Sequence, residues 1–543
     1  MKKLFSLVLC GLLVLSIFPL TSCKKDQTLV LNVYNWEDYI ACDEEVYDMV
    51  AEFEKWYPTT HGGKAVKVNY STFGTNENMY NELKLTQKKS GGKVTYSYDL
   101  VCPSEYMIQK MIIEGMCEEF DHSKMVNYNK NLSPYIKNLF GETEFYKYAT
   151  FYNWGTMGFT YNPDKVAFED VSSWSVVTNK KYQYKFSIKD SVRDSYVLAL
   201  GYINGSKLAS LQNTLDTGSK EYNREVGKLL NDFSDETIEK SRVFLTDVRQ
   251  NLYGFEVDSG KQDMATGKLW INFAWSGDAV YAMDIAEEEG TYLEYVVPTE
   301  GSNLFFDGWV MPKGANKELA QTFLEFMYEE ERAIENLDYI CYSSPIVGEQ
   351  VFEYVCSNYG LTTLIPSSEE TDYQDADGNY YEEVYITSDP NFNTNLIVNG
   401  DSLAYRLTYL DEDGNICHDG IEDATPIYTH SVKYFFGDEI DGDGIIFTDS
   451  LNRQLVAMYP TPKTMNRCVV MEHVDTETLK KLNNMWDSVK VGYMKYSTML
   501  MILIGILVVF ALLITFSVLK KKGKMIRLRR RNIGKLIKSE RIK

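Results

Sequence analysis

Histidine is scarce in this chain: five residues in 543, at His61, His122, His418, His430 and His473, scattered without metal-ligand spacing. The sequence also lacks a P-loop, a G-x-S-x-G elbow and an H-E-x-x-H pair. These absences argue against an enzyme, and no catalytic residue, metal or cofactor is expected. Nine cysteines are present but no C-x-x-C, which removes the thioredoxin-like and zinc-ribbon readings. With Cys10 in the leader and Cys23 set aside for lipid, mostly buried free thiols are expected, with a disulfide pairing that cannot be read from spacing. Basic residues are outnumbered too, 55 Lys and Arg against 77 Asp and Glu, for a net charge of −22. The last stretch, Lys520 to Lys543, carries +11 by itself, so everything before it carries −33. A body this acidic repels nucleic acid and suits a cationic partner.

At 543 residues the chain exceeds a single core, so two or more packed units are expected. Its two ends are hydrophobic. Met1-Lys2-Lys3, the apolar run Leu4 to Leu20 and the following small residues have a signal-peptide layout over 1–22. Leu20-Thr21-Ser22-Cys23 resembles the bacterial lipobox, which implies cleavage before Cys23 and its lipidation. Ser497 to Leu519 is uncharged and long enough, at 1.5 Å per residue, to span a bilayer as a helix. The basic flank from Lys520 holds residues 520–543 in the cytoplasm by the positive-inside rule. The body is therefore expected on the outer face of the cell membrane.

Between these ends strands and helices alternate. Leu29–Tyr34 and Val66–Tyr70 read as strands, Asp43-Glu44-Glu45 as a helix start, and Pro58 as its end. A helix from Asn76 to about Lys88, a strand from Tyr98 to Cys102 and a helix from Glu105 to Glu114 complete a βαβαβα run, which implies a parallel, doubly wound sheet. The segment Tyr148 to Pro163 is extended enough to cross to a second lobe. There, strands near Tyr184–Ile188, Leu269–Ala274, Tyr292–Val297 and Trp309–Met311 follow, with a helix from Asn316 to about Arg332. The fold class is thus α/β, with two lobes and a cleft between them: 23–150 and 305–345 in lobe 1, 151–304 and 346–491 in lobe 2. The second lobe includes an acidic insert, 356–458. There Asp411 to Glu422 has EF-hand length, but Ile416 stands where that loop needs Gly, so hairpin turns are the better reading.

In doubly wound sheets ligands bind beyond the carboxyl ends of strands. Trp36, Tyr39, Ser104 and Tyr106 follow the early strands, and Asp194, Trp275 and Asp278 follow the later ones. Tyr34-Asn35-Trp36-Glu37-Asp38-Tyr39, Asp99 to Tyr106, Asp190-Ser191-Val192-Arg193-Asp194, Trp275-Ser276-Gly277-Asp278-Ala279 and Phe305-Phe306-Asp307 resemble five successive blocks of the bacterial spermidine/putrescine-binding proteins of ABC importers. The resemblance covers roughly 29–344 and resumes over 459–491. It implies a periplasmic-binding-protein-like fold whose cleft is lined by Trp36, Tyr39, Ser104, Tyr106, Asp194, Trp275, Phe305 and Asp307, with ABC permease subunits as partners. Ser191 stands where one form of the family has a second acid, and Phe305 replaces a tryptophan.

The chemistry points the same way. A polyamine needs carboxylates at its ammonium groups and apolar walls between them. Asp194 and Asp307 offer the former and the aromatic residues the latter, with Asp307 and Trp275 expected on one ammonium. Each residue also has a plainer role available: tryptophans are often core, and Asp194 suits a helix start. A surface receptor or adhesin on this fold, or a binding protein for another organic cation, are the rival functions.

Overall fold

The computed structural model describes residues 28–491, apart from 142, 372, 376–377 and stretches between 386 and 451, together with residue 504. The expected signal segment 1–22, the lipid site Cys23, the span 497–519 (Ile504 apart) and the basic tail 520–543 lie outside the described residues. Among the described residues no helix is long and apolar enough to cross a membrane. The chain divides into one unit ending at Leu479 and a second beginning at Lys480.

The main sheet lies wholly within the first unit and has nine strands: β1 Leu29–Trp36, β2 Val66–Phe73, β3 Leu100–Val101, β4 Ala149–Tyr161, β5 Phe186–Lys189, β6 Gly254–Glu256, β7 Ile271–Trp275, β8 Glu294–Val296 and β9 Leu304–Val310. The spatial order is β2-β1-β3-β9-β4-β7-β5-β6, with β8 paired to β4. β1 runs parallel to β2 and β3, and β5 parallel to β6 and β7. β9 and β4, however, run antiparallel to their neighbours, so the sheet is mixed where a purely parallel one was expected. The reason is β4, whose thirteen residues are all buried. Its first part, Ala149–Thr156, pairs β9 in one half of the sheet, and Met157–Tyr161 pairs β7 in the other. The extended segment read from sequence is thus one strand serving both halves.

Local differences have local causes. The first helix is Met49–Thr60. Asp43 does not start it: its carboxylate closes its own turn on the amides of Glu45 (2.7 Å) and Val46 (3.0 Å). Asp48 is the cap instead, accepting from the Ala51 amide at 2.9 Å, and Pro58 lies inside the helix rather than beyond it. The expected helix from Asn316 is two helices, Lys317–Met327 and Glu330–Ile340.

The acidic insert contains antiparallel hairpins. Tyr373–Gln374 pairs Tyr380–Tyr385, and Gly378, at φ +85°, occupies the left-handed position that its turn requires. Arg406–Leu410 pairs Ile416–Gly420. Within the insert, Phe435 stacks on Trp154 (centroids 4.9 Å) and its carbonyl accepts from the Ser133 hydroxyl at 2.6 Å. This part of the insert belongs to the core. Cys102, Cys117, Cys341 and Cys468 are buried free thiols, and Cys42 is an exposed one.

Candidate functional site

A cavity of about 870 Å³, counting its open mouth, lies at the carboxyl ends of β1, β2, β5, β6 and β7. All eight residues singled out from the sequence line it: Trp36, Tyr39, Ser104, Tyr106, Asp194, Trp275, Phe305 and Asp307. Nine carboxylates face two lysines in its lining. Sequence reasoning missed several lining groups, chiefly Lys189, Glu256, Asp258, Lys261 and Tyr342, and assigned no role in the cleft to Asp278.

Asp307 is placed by an irregularity in β9. The register against β4 shifts between Asp307 and Gly308, and Asp307 bridges to Ser104. A side chain at Gly308 would come within 2.7 Å of the Thr150 carbonyl, so only glycine permits this approach. The carboxylate then accepts from the Ser104 hydroxyl (2.6 Å) and the Tyr39 hydroxyl (2.8 Å). Asn76 orders this corner, donating to the Ser104 and Tyr106 hydroxyls at 3.0 and 2.9 Å. Burial raises the Asp307 pKa to about 6, against the two hydroxyl bonds, and the charge of Asp194 adds to the rise. Beneath it, burial pushes Glu105 up to about 8, although one carboxylate oxygen accepts from the Phe306 amide at 3.0 Å.

Asp194 lies in the first turn of the helix Val192–Thr214, capped by Ser191. It occupies a helix start and also lines the cavity. Burial raises its pKa to about 6, opposed by the Ser191 hydroxyl, by Lys189 and Arg193, and by the Trp275 indole. The neighbouring guanidinium of Arg193 turns elsewhere. It stacks 4.3 Å from the Tyr106 ring centre and donates to the Glu472 carbonyl at 2.8 Å. Among the described residues, no ion pair within 4.0 Å reaches Asp194 or Asp307.

The other end is built around Lys189, the last residue of β5 and 1% exposed. Its ammonium lies 2.7 Å from Asp278 Oδ2, 2.7 Å from the Val257 carbonyl and 3.0 Å from Glu256 Oε1, and 4.2 Å from the Trp275 ring centre. Burial opposes its charge, but Asp278 and Glu256 outweigh it and raise its pKa. Asp278 is likewise held below its usual value by Lys189 and Lys261 despite burial. Tyr342 donates to Asp278 at 2.8 Å; a side chain at Gly277 would overlap the Tyr342 ring, so glycine admits it. The Tyr342 and Tyr39 rings meet edge to face at 4.8 Å, which joins the two ends through an aromatic partition.

The cavity is acidic and walled by aromatic rings, a chemistry suited to small cations, and among the described residues no group of His, Cys, Asp and Glu is placed to hold a metal ion. The description "Bacterial extracellular solute-binding protein" matches residues 48–347. The chain belongs to this family. It is a family of solute-binding proteins, not of enzymes. Among relatives of this solute-binding protein, the Putrescine-binding periplasmic protein SpuD of Pseudomonas aeruginosa is 31% identical over 345 residues, 59% of this chain and 81% of the relative. The Spermidine/putrescine-binding periplasmic protein of Salmonella typhimurium is 29% identical over 317 residues, covering 58% and 77%. A solved Listeria monocytogenes structure, described as a spermidine/putrescine ABC transporter, covers 85% of this chain and 99% of its own at 22% identity and TM-score 0.54. That likeness concerns the fold alone: two-lobed and α/β.

Proposed function

We propose that this solute-binding protein captures a polyamine of the spermidine or putrescine type for an ABC importer. Asp307 carries the reading. It is a buried carboxylate, held by two hydroxyls, with no ion pair within 4.0 Å among the described residues and with aromatic walls around it. A desolvated carboxylate in that state gains by meeting an ammonium, through charge-assisted bonds and cation–π contact. Two relatives named as putrescine- or spermidine/putrescine-binding proteins support the same ligand class. Trp36, Tyr39, Tyr106, Trp275 and Phe305 form the walls, Asp307 and Asp194 the anchors, and Ser104 positions Asp307. A thermal-shift panel of amines tests this: a diamine at 100-fold its dissociation constant adds about 2.7 kcal/mol. No shift with any di- or polyamine would contradict the reading.

The same proposal places the lobes at 23–150 with 305–345 and at 151–304 with 346–491, lipid on Cys23, a membrane helix at 497–519 and the tail 520–543 inside the cell. The uncharged run and its basic flank support this arrangement. Protease added to intact protoplasts removes the body and spares the tail; digestion of the tail would contradict it.

A further inference from the structure

The lining of the cavity contains its own ammonium. A lysine head has three donors and no acceptor. Around Lys189 Nζ the protein supplies three oxygens, from Asp278 and Val257 at 2.7 Å and from Glu256 at 3.0 Å, with the Trp275 ring 4.2 Å away. Two carboxylates, a carbonyl and an aromatic face are the groups that an amine ligand's ammonium would seek. Here Asp278 and Val257 accept hydrogen bonds from a side chain that is itself 1% exposed, and Glu256 Oε1 is ion-paired to it at 3.0 Å without accepting a hydrogen bond. The Asp307 end has the same kind of groups, and among the described residues its acids meet hydroxyls, an indole and more distant cations.

We propose that Lys189 is a tethered ammonium filling the Asp278 end of the cavity, so that the ligand is anchored by a single ammonium at Asp307 and Asp194, and that this residue denies a longer amine any gain from its further ammonium. The inference rests on the polyamine reading above. A triamine then gains nothing over a diamine, because the subsite that its further ammonium would use is occupied. Lys261, 3.9 Å from Asp278 and 3.8 Å from Asp258, adds positive charge to that end and strengthens the exclusion.

The test is calorimetric titration of putrescine and spermidine into the full chain and its Lys189→Met variant. In the unaltered protein the two dissociation constants lie within about threefold of each other, a difference below 1 kcal/mol. In Lys189→Met, spermidine gains about ten- to a hundredfold relative to putrescine, the range of a charge-assisted contact. Should the single variant fail to fold with two uncompensated acids, Lys189→Met with Glu256→Gln removes one charge of each sign and is expected to show the same change in ratio. Lys189→Arg, which keeps the charge, retains the original ratio. An unchanged spermidine-to-putrescine ratio in a folded, amine-binding Lys189→Met protein, or in the double variant, overturns the inference and leaves the polyamine reading standing. Absence of amine binding to the unaltered protein overturns both.

Discussion

At one end of the cavity Asp278 and Glu256 enclose the ammonium of Lys189, while at the other Asp307 and Asp194 meet hydroxyls, an indole and, among the described residues, no cation within ion-pair distance. Both ends are buried and both are acidic. What separates them is the direction in which burial is answered. Asp278 is held below the ordinary carboxylate range by its lysines, although burial still raises Glu256 and Asp258 at that end, whereas Asp307 and Asp194 are both pushed up to about 6 because desolvation is left largely uncompensated. The charge of Asp278 is therefore compensated in the free protein, whereas Asp307 and Asp194 carry a desolvation cost that a cation would relieve.

This contrast makes its largest prediction for stability. Asp278→Asn leaves a buried lysine with one carboxylate in place of two, and urea unfolding of the ligand-free protein should show a loss of about 3 kcal/mol, at the lower end for a broken buried pair because Glu256 remains. Asp307→Asn should lose almost nothing at neutral pH and stands to gain, since it deletes a charge that burial disfavours. Equal losses in the two variants would erase the distinction between the ends.

The second prediction uses pH. The folded pKa of Asp307, about 6, lies above an unfolded value of about 3.9, so the free folded state binds the extra proton between those values. Its contribution to stability is accordingly greatest below the unfolded pKa and declines as pH rises through about 6. Ligand affinity has the opposite slope, because the ammonium needs the ionised carboxylate. Between about pH 7.5 and about pH 5, affinity for a diamine should fall about tenfold for each of the two acids, as one unit below the pKa dictates. A flat profile would mean that neither carboxyl meets the ligand's charge.

The residues that define this contrast were unequally legible in the sequence. Trp36, Tyr39, Ser104, Tyr106, Asp194 and Trp275 stand at or just after strand ends, where a doubly wound sheet puts its ligand site, and the strands themselves show in runs such as Leu29–Tyr34. The antiparallel course of β9 was not legible, because a buried strand reads alike in either direction. Nor was the register shift at Gly308, which exists only in the pairing with β4. Lys189 was missed for a different reason: a lysine ending a short strand ordinarily extends into solvent, and only the convergence of Asp278, Glu256 and Val257 from two other segments turns it inward. The signal was present, since the strand-end rule that selected Trp275 applies equally to the last residue of β5.

That miss alters one expectation, and it gives the smallest predicted effect. From sequence, Asp307 and Trp275 share an ammonium of the ligand. In the structure the ammonium over Trp275 belongs to Lys189. Asp307→Asn and Trp275→Leu should therefore add within about 0.5 kcal/mol in binding free energy, as independent sites do. A larger coupling, measured by calorimetry on the four proteins of the cycle, would restore the shared ammonium and weaken the division of the cavity into two ends.

The most direct test of that division is calorimetric titration of putrescine into the unaltered protein and Asp307→Asn at about pH 7.5. The account predicts one saturable site whose affinity falls about ten- to a hundredfold in the variant, the loss expected for a hydrogen bond to a charged partner. Unchanged affinity in a folded Asp307→Asn protein would contradict it, because the uncompensated carboxylate would then lie outside the binding site.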